Sequence, residues 1–186
     1  MGKVHASAGG QKSCLTARRP TWNNVYNGYP KVNGGTSSEG DEYYDTVFTN
    51  VFGASYDKTI YFNACGTRVS LALLAGGVRQ VGNRGIKITN KNHKFYGKQI
   101  EPGAEKLKSI LEGKWGKADI VVNFPTNLSD VSSKLDGKKG IYIMIPKSPR
   151  DFHASGHATL WTGNRVMADH YYIAEYTAAI YFWELK

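Results

Sequence analysis

The chain has 186 residues and carries 24 Lys+Arg against 15 Asp+Glu, a formal net charge of +9. That length fits one domain, and a hydrophobic fraction of 41% is enough for a core, which excludes a chain disordered along most of its length. Two cysteines, Cys14 and Cys65, exclude a disulfide framework, and no apolar run reaches the ~20 residues of a membrane span.

Both thiols are expected to be free, which suits synthesis in a reducing cytoplasm. No pattern of a charged start followed by an apolar stretch opens the chain, so no secretory signal peptide is expected. A charge of +9 admits nucleic acid, an anionic wall polymer or an acidic protein as partner. The lysines are scattered from Lys87 to Lys139, with no basic helix and no aromatic RNA-reading motif. The expectation is therefore no nucleic acid and no membrane insertion.

Residues 1–18 read as a flexible, polar, Gly-rich N-terminal arm, and 19–186 as a single domain. Trp22, Val25 and Tyr26 suit a short helical turn that Gly28-Tyr29-Pro30 ends. Residues 31–40 are rich in turn formers. Tyr44, Val47, Phe48, Val51 and Phe52 follow helical spacing and predict a helix over 40–52, with Asp41 and Glu42 in its first turn. Thr59–Phe62 reads as a short extended piece.

The next stretch, Asn63 to Gly77, predicts a short helix buried all round. Val69, Ala72 and Leu73 share one face, and Leu71 and Leu74 make other sides apolar. Asn63 suits the N-cap, and Gly76-Gly77 the end. Cys65 then falls in the first turn, where the helix dipole and Arg68 one turn on favour a thiolate. The alternative is a buried structural cysteine.

Gly82–Gly97 reads as a basic connector. A third helix starts near Pro102, carries Leu107, Ile110 and Leu111 on its apolar stripe, and ends at Gly113. From there the pattern turns to strands: 118–124, 140–145 stopped by Pro146, 156–161, 166–171 and 178–185. A short helix over 129–135, capped by Ser129, interrupts them. Helices first and antiparallel strands second is the α+β pattern.

A nucleophilic thiol needs a base, and the base an orienting partner. Of the five histidines, His157 stands out: it follows Gly156, starts an alternating strand, and shares a face with Thr159 and Trp161. The order Cys65 then His157 matches papain-like enzymes. The third member is Asp169, Asn164 or His170; Asn164 suits a turn, and His170 would compete as a base. Asp169 can accept the imidazole N–H and hold its tautomer. In a hairpin through Thr162-Gly163-Asn164, a two-residue loop pairs position 157 with 170, whereas a three-residue loop or a bulge pairs it with 169. The catalytic reading requires the second. No His-Glu-x-x-His or other metal-ligand spacing occurs, and no Gly-rich phosphate loop follows a strand, so no metal and no cofactor are expected.

Asn63-Ala64-Cys65 with Thr67-Arg68-Val69-Ser70, and Gly156-His157-Ala158-Thr159-Leu160-Trp161-Thr162-Gly163 followed by Asp169, resemble the fourth family of type VI secretion amidase effectors. Arg19-Pro20, Trp22 and Tyr29-Pro30 resemble its opening. The resemblance implies an NlpC-type papain-like fold, with N-terminal helices packed on an antiparallel sheet. It implies secretion without a signal peptide, by the type VI machinery, into the periplasm of rival bacteria. There such enzymes cut the γ-D-glutamyl–meso-diaminopimelate bond of peptidoglycan stem peptides, and a cognate immunity protein blocks the cleft. Cys65 would be the nucleophile, His157 the base and Asp169 the orienting acid. Several relatives carry a cysteine pair flanking that acid; here Met167 stands at one of those places and no cysteine follows. Two other readings fit the residues alone: a non-enzymatic basic binding module with Cys65 in its core, and a Cys-His hydrolase or transglutaminase-like enzyme with another substrate.

Overall fold

The computed structural model describes residues 3–8, 11–16, 18–32, 40–82 and 86–186, the first two segments as backbone. Most of the turn-rich stretch at 31–40, and residues 83–85 of the basic connector, lie outside the described residues. Within the N-terminal arm, β1 (Lys3–Ala8) and β2 (Gln11–Thr16) pair as an antiparallel hairpin. The thiol of Cys14 lies outside the described atoms.

The helices come first. α1 (Trp22–Gly28) is capped by the Thr21 hydroxyl and buries Trp22 and Val25. α2 (Tyr44–Phe52) buries Val47, Phe48 and Val51, the stripe that the spacing predicts. It starts later than expected. Asp41 and Glu42 precede it, and Asp45 is the acid of its first turn. Thr59–Phe62 is a turn followed by irregular chain, not a strand.

α3 (Cys65–Ala75) buries every residue but Arg68 and Ala75, so the all-round apolar reading holds. Its cap residue is Ala64, one position after the predicted Asn63; the Asn63 side chain instead accepts the Cys65 N–H at 3.4 Å. Gly66 lies so close to the Pro102 carbonyl that a Cβ there would sit 2.2 Å from its oxygen. Ser70 holds the same segment, accepting the Glu101 N–H at 3.0 Å and donating to the Glu101 carbonyl at 2.8 Å. Gly66→Ala is therefore expected to force backbone apart beside the first turn of α3, costing about 1–3 kcal/mol. A urea titration checks it; an unchanged midpoint would mean that the contact can relax.

β3 (Ile86–Lys87) and β4 (Gln99–Ile100) form a two-stranded ladder. α4 (Ala104–Trp115) runs through Gly113 and ends at Gly116, whose φ of 84° suits glycine. A helical glycine costs only about 1 kcal/mol, and the burial of Trp115 beyond it outweighs that. β5 (Ile120–Asn123) leads to α5 (Leu128–Leu135), capped by Asn127 and Asp130 in a reciprocal box rather than by Ser129. β6 (Gly140–Pro146), α6 (Pro149–Phe152), β7 (His157–Trp161) and β8 (Thr177–Glu184) complete the chain.

The main sheet is antiparallel in the order β5-β8-β6-β7. Ile141, Ile143, Ala158, Leu160 and Trp183 join the core shared with α1 to α4, while Tyr142, Met144, Trp161, Ile180 and Phe182 pack with Val131 and Leu135 of α5. β7 is an edge strand, and α3 packs along it. That contact places the start of the helix beside the start of the strand.

The predicted return strand over 166–171 does not form. Trp161 pairs with Val166 in an isolated bridge, and the chain then leaves the sheet through a 3-10 turn at Met167–Asp169. Ala168 and Asp169 have φ near +55°. Neither glycine nor asparagine marks these positions, so nothing local announces the break. Among the described residues, no helix is long and apolar enough to cross a membrane.

Candidate active site

Cys65 and His157 line one cavity of ≈ 290 Å³. Cys65 comes from the first turn of α3, and its thiol is free. His157 opens β7 and pairs with Met144 of β6. Gly156 before it has φ 138°, and a Cβ there would meet the Met144 carbonyl oxygen at 2.3 Å, so only glycine admits the chain at this point. His170 and Tyr172 close the cavity from the other side. Their rings lie 6.2 Å and 4.6 Å from the imidazole of His157.

Both reactive groups are buried, and burial sets their protonation. It pushes the Cys65 thiol up, against the backbone N–H groups of Ala158 and Gly66 and the Arg68 guanidinium, which act the other way. The helix start alone therefore does not produce a thiolate, contrary to the sequence expectation. His157 is pushed down to about 3 by burial first, then by His170 and Arg68. The Nε2 atom of His157 is buried and has no hydrogen-bond partner.

These directions fix a pH dependence of stability. An unfolded histidine titrates near ~6.5, so between that value and about 3 the unfolded chain binds the proton and the native chain does not. Stability is fully present above the upper value and falls on acidification through the window, by up to ~1.4 kcal/mol per pH unit from this group. At the alkaline end the raised Cys65 thiol gives the reverse: the unfolded thiol ionises first, and stability falls as pH rises past it. Denaturant titrations from pH 4 to 7 are expected to show the acid slope in the native protein and a shallower one in His157→Gln. Equal slopes would overturn the assignment.

Arg68 lines the same cavity. Its guanidinium lies 3.3 Å from Asp41 and donates to the Glu42 carbonyl at 2.7 and 3.1 Å. Asp41 also accepts from the Tyr29 hydroxyl at 3.0 Å. This network fixes the segment before α2, whose Tyr44 borders the cavity. Sequence spacing placed Asp41 in a helix turn and so missed its partner 27 positions away.

Asp169 is not in the cavity. It is exposed, it lines a neighbouring hollow with His170, Tyr171 and Tyr172, and after burial its charge is what raises the Tyr171 hydroxyl. The bridge between Trp161 and Val166 follows the register that brings position 170, not 169, toward His157. The structure thus brings Cys65, His157 and His170 together and leaves Asp169 one residue outside. Asn164 is exposed in the turn. Among the described residues, no group of three or more His, Cys, Asp or Glu side chains is placed to hold a metal ion.

A helix-start cysteine set against an edge-strand histidine, on an α+β core with helices packed over an antiparallel sheet, defines the NlpC-type papain-like class. Residues 61–183 match the family model described as type VI secretion system (T6SS), amidase effector protein 4, Tae4. The chain belongs to this family and is a type VI amidase effector, a hydrolase of peptidoglycan. It is similar to the crystal structure of Tae4 from Enterobacter cloacae, with 26% identity and a TM-score of 0.70, over 92% of this chain and 100% of that one. The Tae4–Tai4 effector–immunity complex from Enterobacter cloacae matches at 25% identity and 0.67, over 91% and 100%. The corresponding complex from Salmonella Typhimurium matches at 23% and 0.66, over 91% and 100%, a likeness of fold. The search of curated proteins finds no match.

Proposed function

We propose that this chain cuts the amide bond between γ-D-glutamate and meso-diaminopimelate in peptidoglycan stem peptides, with Cys65 as nucleophile and His157 as base. The observation that carries the reading is the lining of the reactive cavity. It holds Cys65 and His157 beside Arg68, His153 and His170, with no Asp or Glu. A stem peptide is rich in carboxylates, and a cavity lined by histidines and by no carboxylate of its own suits it.

In this mechanism His157 accepts the proton of Cys65 as Sγ attacks the glutamyl carbonyl. The Cys65 N–H, which now meets the exposed Asn63 side chain at 3.4 Å, turns to the oxyanion when Asn63 yields. His157 returns the proton to the leaving amine of diaminopimelate. Water, deprotonated by His157, then cleaves the thioester and restores the thiol.

Asp169 takes the orienting role, as the family resemblance implies. The role requires the Met167–Asp169 turn to rotate its carboxylate from Tyr171 toward His157. The place of action is the periplasm of a target bacterium, reached through the type VI machinery. A cognate immunity protein would block the cleft; the relatives form Tae4–Tai4 effector–immunity complexes.

Mass analysis of purified peptidoglycan digested with the protein tests the reading. The expected products carry a new carboxylate on D-glutamate and a new amine on diaminopimelate. Stems intact after long digestion, or a cut elsewhere, would overturn it.

A further inference from the structure

A second hollow of ≈ 460 Å³ continues the reactive cavity, sharing His170 and Tyr172 with it. Its character differs. Leu128, Ile173, Tyr171 and Tyr176 supply most of the remaining wall, and no Lys or Arg lines it, although the chain carries a net charge of +9. Tyr172 and Tyr176 are 39% and 38% exposed. Phe152 holds both, edge-on to Tyr172 at 5.5 Å and tilted against Tyr176 at 5.3 Å. Asp169 is exposed at the rim.

We propose that this hollow is a saccharide subsite, taking the N-acetylated sugar that carries the stem peptide while Cys65 attacks the stem. The inference rests on the peptidoglycan reading and extends it to the glycan side of the substrate. Three observations select a sugar over more peptide. The stem is anionic, and the second hollow has no Lys or Arg and carries the carboxylate of Asp169 at its rim, which disfavours more of it there. A neutral pyranose ring presents C–H faces that pack on partly exposed aromatic rings, as Tyr172 and Tyr176 offer. Its hydroxyls donate to acceptors of the kind the tyrosine oxygens supply. Continuity through Tyr172 fits a substrate whose sugar and scissile bond are separated by a short peptide.

Two measurements test it. In the first, kcat/KM is compared for a stem peptide with and without its muramyl sugar, in the native protein, Tyr176→Ala and Tyr176→Phe. The native protein is expected to favour the sugar-bearing substrate, mainly through KM. Tyr176→Ala should lose roughly tenfold on that substrate and little on the bare peptide, and Tyr176→Phe should restore most of the difference, since the ring face is the contact. No preference for the sugar, or an equal loss on both substrates, would overturn the subsite. In the second, Cys65→Ala protein is titrated with an N-acetylglucosamine oligosaccharide and followed by NMR. Shifts at Ile173 and Tyr176 that vanish in Tyr176→Ala are expected, and their absence overturns the proposal. If neither peptide is cut yet the oligosaccharide binds, the bond assignment fails and the subsite stands.

Discussion

Cys65→Ala is expected to abolish peptidoglycan hydrolysis while the protein keeps its fold. The substitution removes the attacking atom, and Cys65 is the thiol that lines the cavity with His157. It also removes little volume from a residue only 4% exposed, at a helix start whose backbone is held by Gly66, Ser70 and Pro102. Loss of a nucleophile that acts as a unit with its base lowers the rate by roughly 10⁴-fold or more. The paired measurements are product release from peptidoglycan and the thermal midpoint. An unfolded variant would leave the activity loss ambiguous, so Cys65→Ser serves as a second variant that preserves size. Retained turnover by either folded protein would sink the covalent mechanism. The same logic predicts that Cys14→Ala changes nothing in the rate.

How the protonation of this pair is set bears on how the thiol should be probed. Because burial raises Cys65 and lowers His157, alkylation by iodoacetamide should depend on the histidine. The helix dipole and the burial of the helix were both legible in the sequence, but which of them sets the thiol was not, since that depends on how the first turn packs against β7 and the Pro102 segment. The helix itself was legible because its apolar residues repeat with helical spacing and its neighbours on all sides are apolar as well. His157 was legible because Gly156 and an alternating strand isolate it. The segment from Val166 to Tyr171 was not. It follows a turn signal and reads as the return strand of a hairpin, yet two of its residues adopt left-handed backbone without a glycine, so only the folded chain reveals the turn. Likewise Asp41 could not be joined to Arg68 from sequence spacing, because the pair spans two elements.

That hidden turn frames the choice between Asp169 and His170. His157 keeps a buried Nε2 atom without a partner, a condition that costs about 1–3 kcal/mol. A group that reaches it gains that energy back, and a carboxylate also stabilises the imidazolium that forms when Cys65 attacks. Asp169 is one residue from His170, which already borders the cavity, and the turn between Val166 and His170 contains two residues in left-handed conformation. Backbone strain of that kind costs of order 1–3 kcal/mol per residue and can be relieved by rotation. Rotation that releases Asp169 from the Tyr171 hydroxyl would bring the carboxylate to Nε2 in the substrate-bound enzyme. Asp169→Ala is then expected to lower kcat by roughly 10²–10⁴-fold, with KM little changed, since the acid acts on the transition state. His170→Ala should leave most of kcat, and Tyr171→Phe should leave it whole or raise it, because the competing hydroxyl is gone. The reverse ranking, with His170→Ala severe and Asp169→Ala mild, would assign the orienting role to His170, the group whose ring already stands 6.2 Å from His157.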